Sequence, residues 1–270
     1  MKVVVCIKQV PDTNEVKLDP VTGTLIREGV PSIINPDDKA GLEAALRLKD
    51  QYGAHVTVVS MGPPQADLAL REALAMGADE AVLVTDRAFG GADTWATSST
   101  IASALENLEY DLIITGVGPE DIVMCGRQAI DGDTAQVGPQ IAEHLGLVNI
   151  SYAEDLKVED GYVIVKRQYE DRYHILKAKM PCLITALSEL NEPRYMTPGG
   201  IFDAYREKEV KVWTRPDLKV DDGNIGLKGS PTRVFKSFTK AVKGKGTVVT
   251  LDPQESANWL VDRLKEKFIL

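Results

Sequence analysis

Short apolar runs set apart by stretches of helical period constrain this chain most. Residues 3–7, His55–Met61, 81–85, 112–115 and Cys182–Ala186 are each bounded by polar or glycine-containing segments and are rich in Val and Ile. Runs of that length and composition suit buried strands better than helices. Between them, Ala66, Leu70, Ala73 and Leu74 recur at core-facing helical spacing and stop at Gly77, and Ile101, Ala102, Leu105 and Leu108 do the same after Asp93. Successive strands linked through helices run parallel, so the expected fold class is α/β: a parallel sheet with helices on both faces.

Local signals sharpen that outline. Asn35-Pro36-Asp37-Asp38 predicts a helix start, with Asn35 as cap, Pro36 at the first position and two acids facing the positive end of the dipole; the helix should end near Gly53. Two regions depart from the alternation. Residues 16–27, around Asp19-Pro20-Val21-Thr22-Gly23, read as a hairpin, and residues 152–179 read as an antiparallel meander turning at Glu159-Asp160-Gly161 and Glu170-Asp171-Arg172. Beyond Ala204 the period fades and Pro216, Gly223, Gly226, Gly229 and Pro231 accumulate. Residues 1–203 are therefore expected to form the folded domain and residues 204–270 an extended arm that orders on a partner. Asp252-Pro253-Gln254-Glu255 announces a last helix, with Ala257, Leu260, Val261, Leu264 and Phe268 along one face.

Charge and residue usage remove several functions. With 31 Lys and Arg against 40 Asp and Glu the chain carries a net −9, which argues against nucleic acid as a partner, and the basic cluster from Lys236 to Lys245 reads as a solvated loop. Cys6, Cys125 and Cys182 lack paired spacing, so neither a disulfide framework nor a metal site is expected and a reducing, cytoplasmic setting is. No apolar run reaches bilayer length. His55, His144 and His174 read as structural or surface groups, since no nucleophile elbow accompanies them, and hydrolytic chemistry loses support. Neither a Gly-x-Gly-x-x-Gly turn after the first strand nor a Walker loop is present.

What remains is Gly126-Arg127-Gln128-Ala129-Ile130-Asp131-Gly132-Asp133-Thr134-Ala135-Gln136-Val137, followed by Gly138 as a helix cap and Pro139 at the first helical position. Ile141 and Leu145 then share a face, so loop N–H groups and a helix dipole would converge where a phosphate could sit. An ordinary strand-to-helix loop is the competing reading. A second such turn is Asp86-Arg87-Ala88-Phe89-Gly90-Gly91-Ala92-Asp93-Thr94-Trp95-Ala96-Thr97-Ser98, in which Asp93 caps while Thr94 and Thr97 offer hydroxyls; a well-capped helix alone would also account for it.

The Gly126 loop, the N-terminal run Val3-Val4-Val5-Cys6-Ile7-Lys8-Gln9-Val10-Pro11-Asp12 and Leu187-Ser188-Glu189-Leu190-Asn191-Glu192-Pro193-Arg194-Tyr195 occur in the order found in electron transfer flavoprotein beta subunits, and the chain resembles that family over nearly its whole length. The resemblance implies a Rossmann-like, adenine-nucleotide-binding sheet, with Cys6, Asn35, Met61, Gly62 and the 126–137 loop around adenosine phosphate. It also implies a recognition loop, Leu190, Asn191, Glu192, Pro193, Arg194 and Tyr195, with Leu190 as the exposed anchor. With Asp93, Thr94 and Thr97 holding a second phosphate, the chain is similar to the electron-bifurcating subgroup, in which FAD replaces AMP. NADH would then be the donor, ferredoxin or flavodoxin and an acyl-CoA dehydrogenase the acceptors, and an alpha subunit the permanent partner. Such a chain is an enzyme only as part of the heterodimeric complex and needs no acid–base residue of its own. An AMP-holding, non-bifurcating subunit and a universal-stress-like ATP-binding regulator stand as alternatives. One departure is local: the family runs from the strand 112–115 almost directly into the Gly126 loop, whereas here residues 116–122 intervene. Either the strand resumes at Ile122 or the insertion reshapes the mouth of the pocket.

Overall fold

A computed structural model of the chain describes residues 1–12, 31–108, 121–235, 244 and 246–269. In chain order the strands are β1 (Lys2–Cys6), β2 (Gln9–Pro11), β3 (Ser32–Ile34), β4 (His55–Met61), β5 (Glu80–Val84), β6 (Ile122–Gly126), β7 (Val148–Glu159), β8 (Tyr162–Gln168), β9 (Tyr173–Lys179), β10 (Cys182–Ala186) and β11 (Val210–Trp213). The helices are α1 (Pro36–Tyr52), α2 (Asp67–Met76), α3 (Thr94–Glu106), α4 (Val137–Leu145), α5 (Pro198–Arg206) and α6 (Pro253–Glu266). Nine strands make one sheet in the order β11-β5-β4-β1-β6-β10-β7-β8-β9, parallel from β11 to β7 and antiparallel through β8 and β9, while β2 and β3 pair separately.

Period-two alternation places a core on each face of the sheet. Val3, Val5 and Ile7 join Leu42, Leu46, Leu70 and Leu74 of α1 and α2 on one side. Val4 and Cys6 join Ile101 and Leu105 of α3 and Ile141 of α4 on the other. The strand–helix alternation, the ends of α1 to α3 and the meander turns thus agree with the sequence reading.

One of the two readings of the insertion holds: a strand occupies Ile122–Gly126, β6, beside β1 and in register from Val3 opposite Ile122 to Cys6 opposite Cys125. Two other expectations differ, at α4 and beyond Ala204. The strand expected at 112–115 and the hairpin at 16–27 lie outside the described residues, as does the 236–245 cluster apart from Gly244. Helix α4 starts at Val137 after Gln136, not at Pro139 after Gly138, which leaves Pro139 third, where its missing N–H is still one that the helix could not use. Residues 204–234, read as arm, belong to the first of two compact units, Met1–Val234 and Phe235–Leu270. Strand β11 pairs with β5 at the sheet edge, and Leu218, Val220 and Ile225 enter the second core. Isolated apolar residues at irregular spacing bury well but leave no periodic signal.

In the second unit, α6 has the expected Asp252 cap, whose Oδ1 accepts the Glu255 N–H at 2.9 Å. Among the described residues no helix is long and apolar enough to cross a membrane, and no group of three or more His, Cys, Asp or Glu could hold a metal ion.

Candidate functional site

The carboxyl ends of β4, β1 and β6 lie side by side, with Cys6 opposite both Val59 and Cys125. The chain order along the sheet turns back at β1, a switch point of the kind that opens a ligand crevice in parallel sheets. Cys6 lies at this edge nearly buried, and half-buried Met61 and Gly62 follow at the end of β4, where the Gly62 N–H donates to Val84 O at 3.1 Å.

Loop 126–137 departs from β6 under the control of α1. Gly126 comes so close to the first turn of α1 that a Cβ there would strike the Asp38 carboxylate and the Asp37 backbone. The Gly126 N–H donates to Asp38 Oδ1 at 2.8 Å, and the Lys8 N–H to Oδ2 at 2.7 Å, so one carboxylate ties the ends of β1 and β6 together. Burial pushes Asp38 up to about 7, against the lowering effect of these N–H groups and the Asn35 side chain. Asn35 occupies the N-cap position of α1 but makes no side-chain cap bond. Its Nδ2 instead donates to Gln128 O at 2.8 Å and its Oδ1 accepts from Ile130 N at 3.1 Å. The fully buried Asn35 side chain is therefore a pin for the loop, while its backbone keeps the N-cap place, its C=O accepting the Lys39 N–H at 2.9 Å.

Further along, Lys8 Nζ donates to Asp131 at 2.6 Å and Gln128 Nε2 to Asp133 at 2.9 Å. Ala129 O accepts the N–H groups of Gly132 and Asp133, closing a tight turn. Asp133 and Ala135 hold φ of 51° and 53°, a left-handed conformation that costs about 1 kcal/mol or more and recurs where a loop serves a ligand. Gly132, Asp133, Thr134 and Gln136 are exposed, and Ala135 and Val137 partly so. Gly138 lets α4 lie on β10, since a Cβ would come within 2.7 Å of Thr185 Cγ2.

Helix α3 delivers the second turn to the same place. Its cap is as expected: Asp93 Oδ1 accepts the Ala96 N–H at 3.0 Å. The other oxygen of Asp93 accepts from the N–H and hydroxyl of Thr232 at 2.9 and 2.7 Å, so Asp93 is committed to structure on both sides. Thr94 Oγ1 donates to Gln136 Oε1 at 3.3 Å, which brings the start of α3 against the end of the 126–137 loop; Thr97 lies half-buried one turn on.

The 187–195 segment leaves β10 beside β6 and lies along α1. Leu187 is buried; Leu190 is half-buried and packs on the first core, so the exposure expected at the loop tip falls instead on Tyr195, 92% accessible. Asn191 Nδ2 donates to Ala40 O at 2.9 Å, and Arg194 is paired with Glu43 and Asp50. Glu192 projects into solvent while Pro193 is partly covered.

A model of the electron transfer flavoprotein domain matches residues 22–218, most of the chain. The chain belongs to the electron transfer flavoprotein family. It is 61% identical over 267 residues, 99% of either chain, to the electron transfer flavoprotein subunit beta of Clostridium acetobutylicum. It is 54% identical, with both chains fully covered, to subunit CarD of the caffeyl-CoA reductase-Etf complex of Acetobacterium woodii. It is 46% identical, again over both whole chains, to the acryloyl-CoA reductase electron transfer subunit gamma of Anaerotignum propionicum. These similarities place it among the beta subunits of that family.

Within this family member the structure adds residues that the sequence reading left out of the site. Lys8 and Asp38 are distant in sequence from the Gly126 loop that they hold, and Asp37, which accepts the Ser188 N–H, lies 151 positions from that residue. The available signal was weak: two adjacent acids in the first turn of a helix fit the dipole so well that no further role is needed.

Proposed function

We propose that this beta subunit pairs with an alpha subunit, holds FAD across the ends of β1, β4 and β6, and carries electrons from NADH to ferredoxin or flavodoxin and to an acyl-CoA dehydrogenase. The observation that carries this reading is the meeting of two helix starts, α3 and α4, through Thr94 and Gln136. One helix start suffices for a monophosphate; two, with an exposed loop ahead of the second, suit a pyrophosphate. The donor set fits an anion: the partly exposed Arg127 side chain has its Nε 3.2 Å from Asp37 Oδ2 without hydrogen-bond alignment, an ion pair that a phosphate can compete with. Bound flavin supplies the hydride and single-electron chemistry. The chain's own part is to offset phosphate charge with Arg127 and backbone N–H groups, to wall the adenine with Cys6 and Met61, and to keep the loop in shape through Asn35 and Lys8. Two relatives whose names place them with acyl-CoA-type reductases support the choice of acceptor. The reducing, cytoplasmic setting agrees with three buried, unlinked thiols.

A flavin and nucleotide count on the chain purified with its alpha subunit is the test. Two FAD for each heterodimer is the expected result. One FAD with AMP would replace this reading by the non-bifurcating one, and a colourless ATP-binding homodimer would overturn both.

A further inference from the structure

Two loops with separate proposed tasks start on adjacent strands. Gly126 and Ala186 are register partners in β6 and β10, and the Arg127 N–H donates to Ala186 O at 2.7 Å. Asp37, the second residue of α1, touches both loops at once. Its Oδ1 accepts the Ser188 N–H at 3.0 Å, at the entry to the 187–195 loop. Its Oδ2 lies 3.2 Å from Arg127 Nε in the nucleotide loop. The Asp37 side chain is 7% exposed, so it has little access to water in place of either contact. The Arg127 contact is an ion pair without hydrogen-bond alignment, which a competing anion can displace at small cost. The Ser188 contact is aligned, and farther on Asn191 and Arg194 fix the same loop to the body of α1.

We propose that Asp37 is a positioning residue that couples the two loops, so that a phosphate which draws Arg127 away tightens the seat of Ser188 and with it the loop presenting residues 190–195. This rests on the nucleotide reading of loop 126–137. The physical step is short. A buried carboxylate that loses its guanidinium partner must recover the lost charge compensation from the donors that remain. The N–H groups of Ser188 and Gln128 are such donors, and the charge-assisted bond from Ser188, already in line, becomes the stronger for the loss of the competing guanidinium. Burial raises Asp37 above the usual carboxylate range while Arg127 and the N–H groups of Ser188 and Gln128 oppose it, which agrees with a carboxylate that depends on these partners.

Hydrogen exchange tests the coupling in the full chain purified with its alpha subunit and stripped of nucleotide, with AMP as the added probe. The expected result is slower exchange at 126–137 and, in the same sample, exchange slowed about five-fold or more at 189–195, the lower end of usual inter-site couplings. Asp37→Asn keeps the shape and removes the charge; Ser188→Pro removes the donor at a position where the preceding residue is extended and a short 3-10 turn begins. In both variants the response at 126–137 should persist and that at 189–195 should vanish. Slowing at 126–137 with no change at 189–195 in the unaltered chain, or an undiminished response in both variants, overturns the coupling alone. Absence of any response at 126–137 overturns the nucleotide reading and the coupling with it.

Discussion

Arg194 grips Glu43 through three hydrogen bonds: its backbone N–H and Nε donate to Oε2 at 3.1 and 2.8 Å, and a terminal nitrogen donates to Oε1 at 3.2 Å. A further bond of 2.7 Å reaches Asp50. Burial opposes ionisation of Glu43, and the bonds from Arg194 and Arg47 outweigh it, leaving the carboxyl below its usual range. A lowered carboxyl stabilises the fold above its unfolded value of 4.5 and stops doing so as pH falls through the folded one. Arg194→Lys keeps the charge but loses the fork, so urea unfolding at neutral pH should show a loss of about 1.5–3 kcal/mol. An unchanged midpoint would mean that the clamp adds nothing to stability.

Asn35 separates capping from loop support. Asn35→Ser keeps a good N-cap residue for α1 yet cannot span to Gln128 and Ile130 as the amide does. Nucleotide affinity by calorimetry is expected to fall about ten-fold, since about 1.4 kcal/mol lies within what two buried neutral hydrogen bonds are worth together. Retained affinity in the serine variant would return Asn35 to the role of a cap.

Thr94→Val with Thr97→Val removes two hydroxyls and leaves volume almost unchanged. Flavin retained after dialysis should fall, each lost bond to a charged phosphate costing about 1.5–3 kcal/mol, while the far-ultraviolet circular dichroism stays as it was. Full retention would leave α3 merely well capped by Asp93.

Asp38 predicts a pH profile. Its folded value of about 7 exceeds the ordinary 3.8, so the folded chain binds this proton more tightly than the unfolded one. Its contribution to stability is therefore largest below 3.8, declines as pH rises towards about 7 and is level above that. Asp38→Asn should begin less stable, because the amide nitrogen that replaces one carboxylate oxygen cannot accept the backbone N–H of Lys8 or Gly126 bonded there, and should lack this decline. Thermal unfolding from about pH 5 to about pH 8 checks it; parallel curves for the two proteins would sink the assignment.

Leu190 and Tyr195 divide the 187–195 loop between core and surface. Leu190→Ala should cost about 1–2 kcal/mol of stability, as a half-buried leucine does, whereas Tyr195→Ala should leave stability within about 0.5 kcal/mol. Tyr195→Ala should slow electron delivery to the dehydrogenase with bound flavin unchanged. The opposite pattern, a stable Leu190→Ala and a melting Tyr195→Ala, would invert the placement.

Much of this architecture was readable because it is encoded within a few residues. Helix α1 announces itself by Pro36 and stops at Gly53, whose φ of 66° suits glycine, and α6 by the Asp252 cap. The meander turns where Asp160 and Gly161 take positive φ. The Arg-Gln-Ala-Ile-Asp-Gly-Asp-Thr run stood out for the same reason, its residues being contiguous. Strand β11 did not stand out, because four residues at a sheet edge carry too little pattern to separate them from a loop.

By itself the sequence determined the alternation of strands and helices, the caps, the position of the glycine-bearing loop and the family, all of which depend on residue order over short spans. Tertiary structure alone decided who holds whom: Asn35 on Gln128 across 93 positions, Asp38 on Gly126 across 88, Asp37 on Ser188 and Glu43 on Arg194 across 151. Such pairs form because buried polar groups must find partners once the sheet has brought distant segments together, and no local spacing records that meeting.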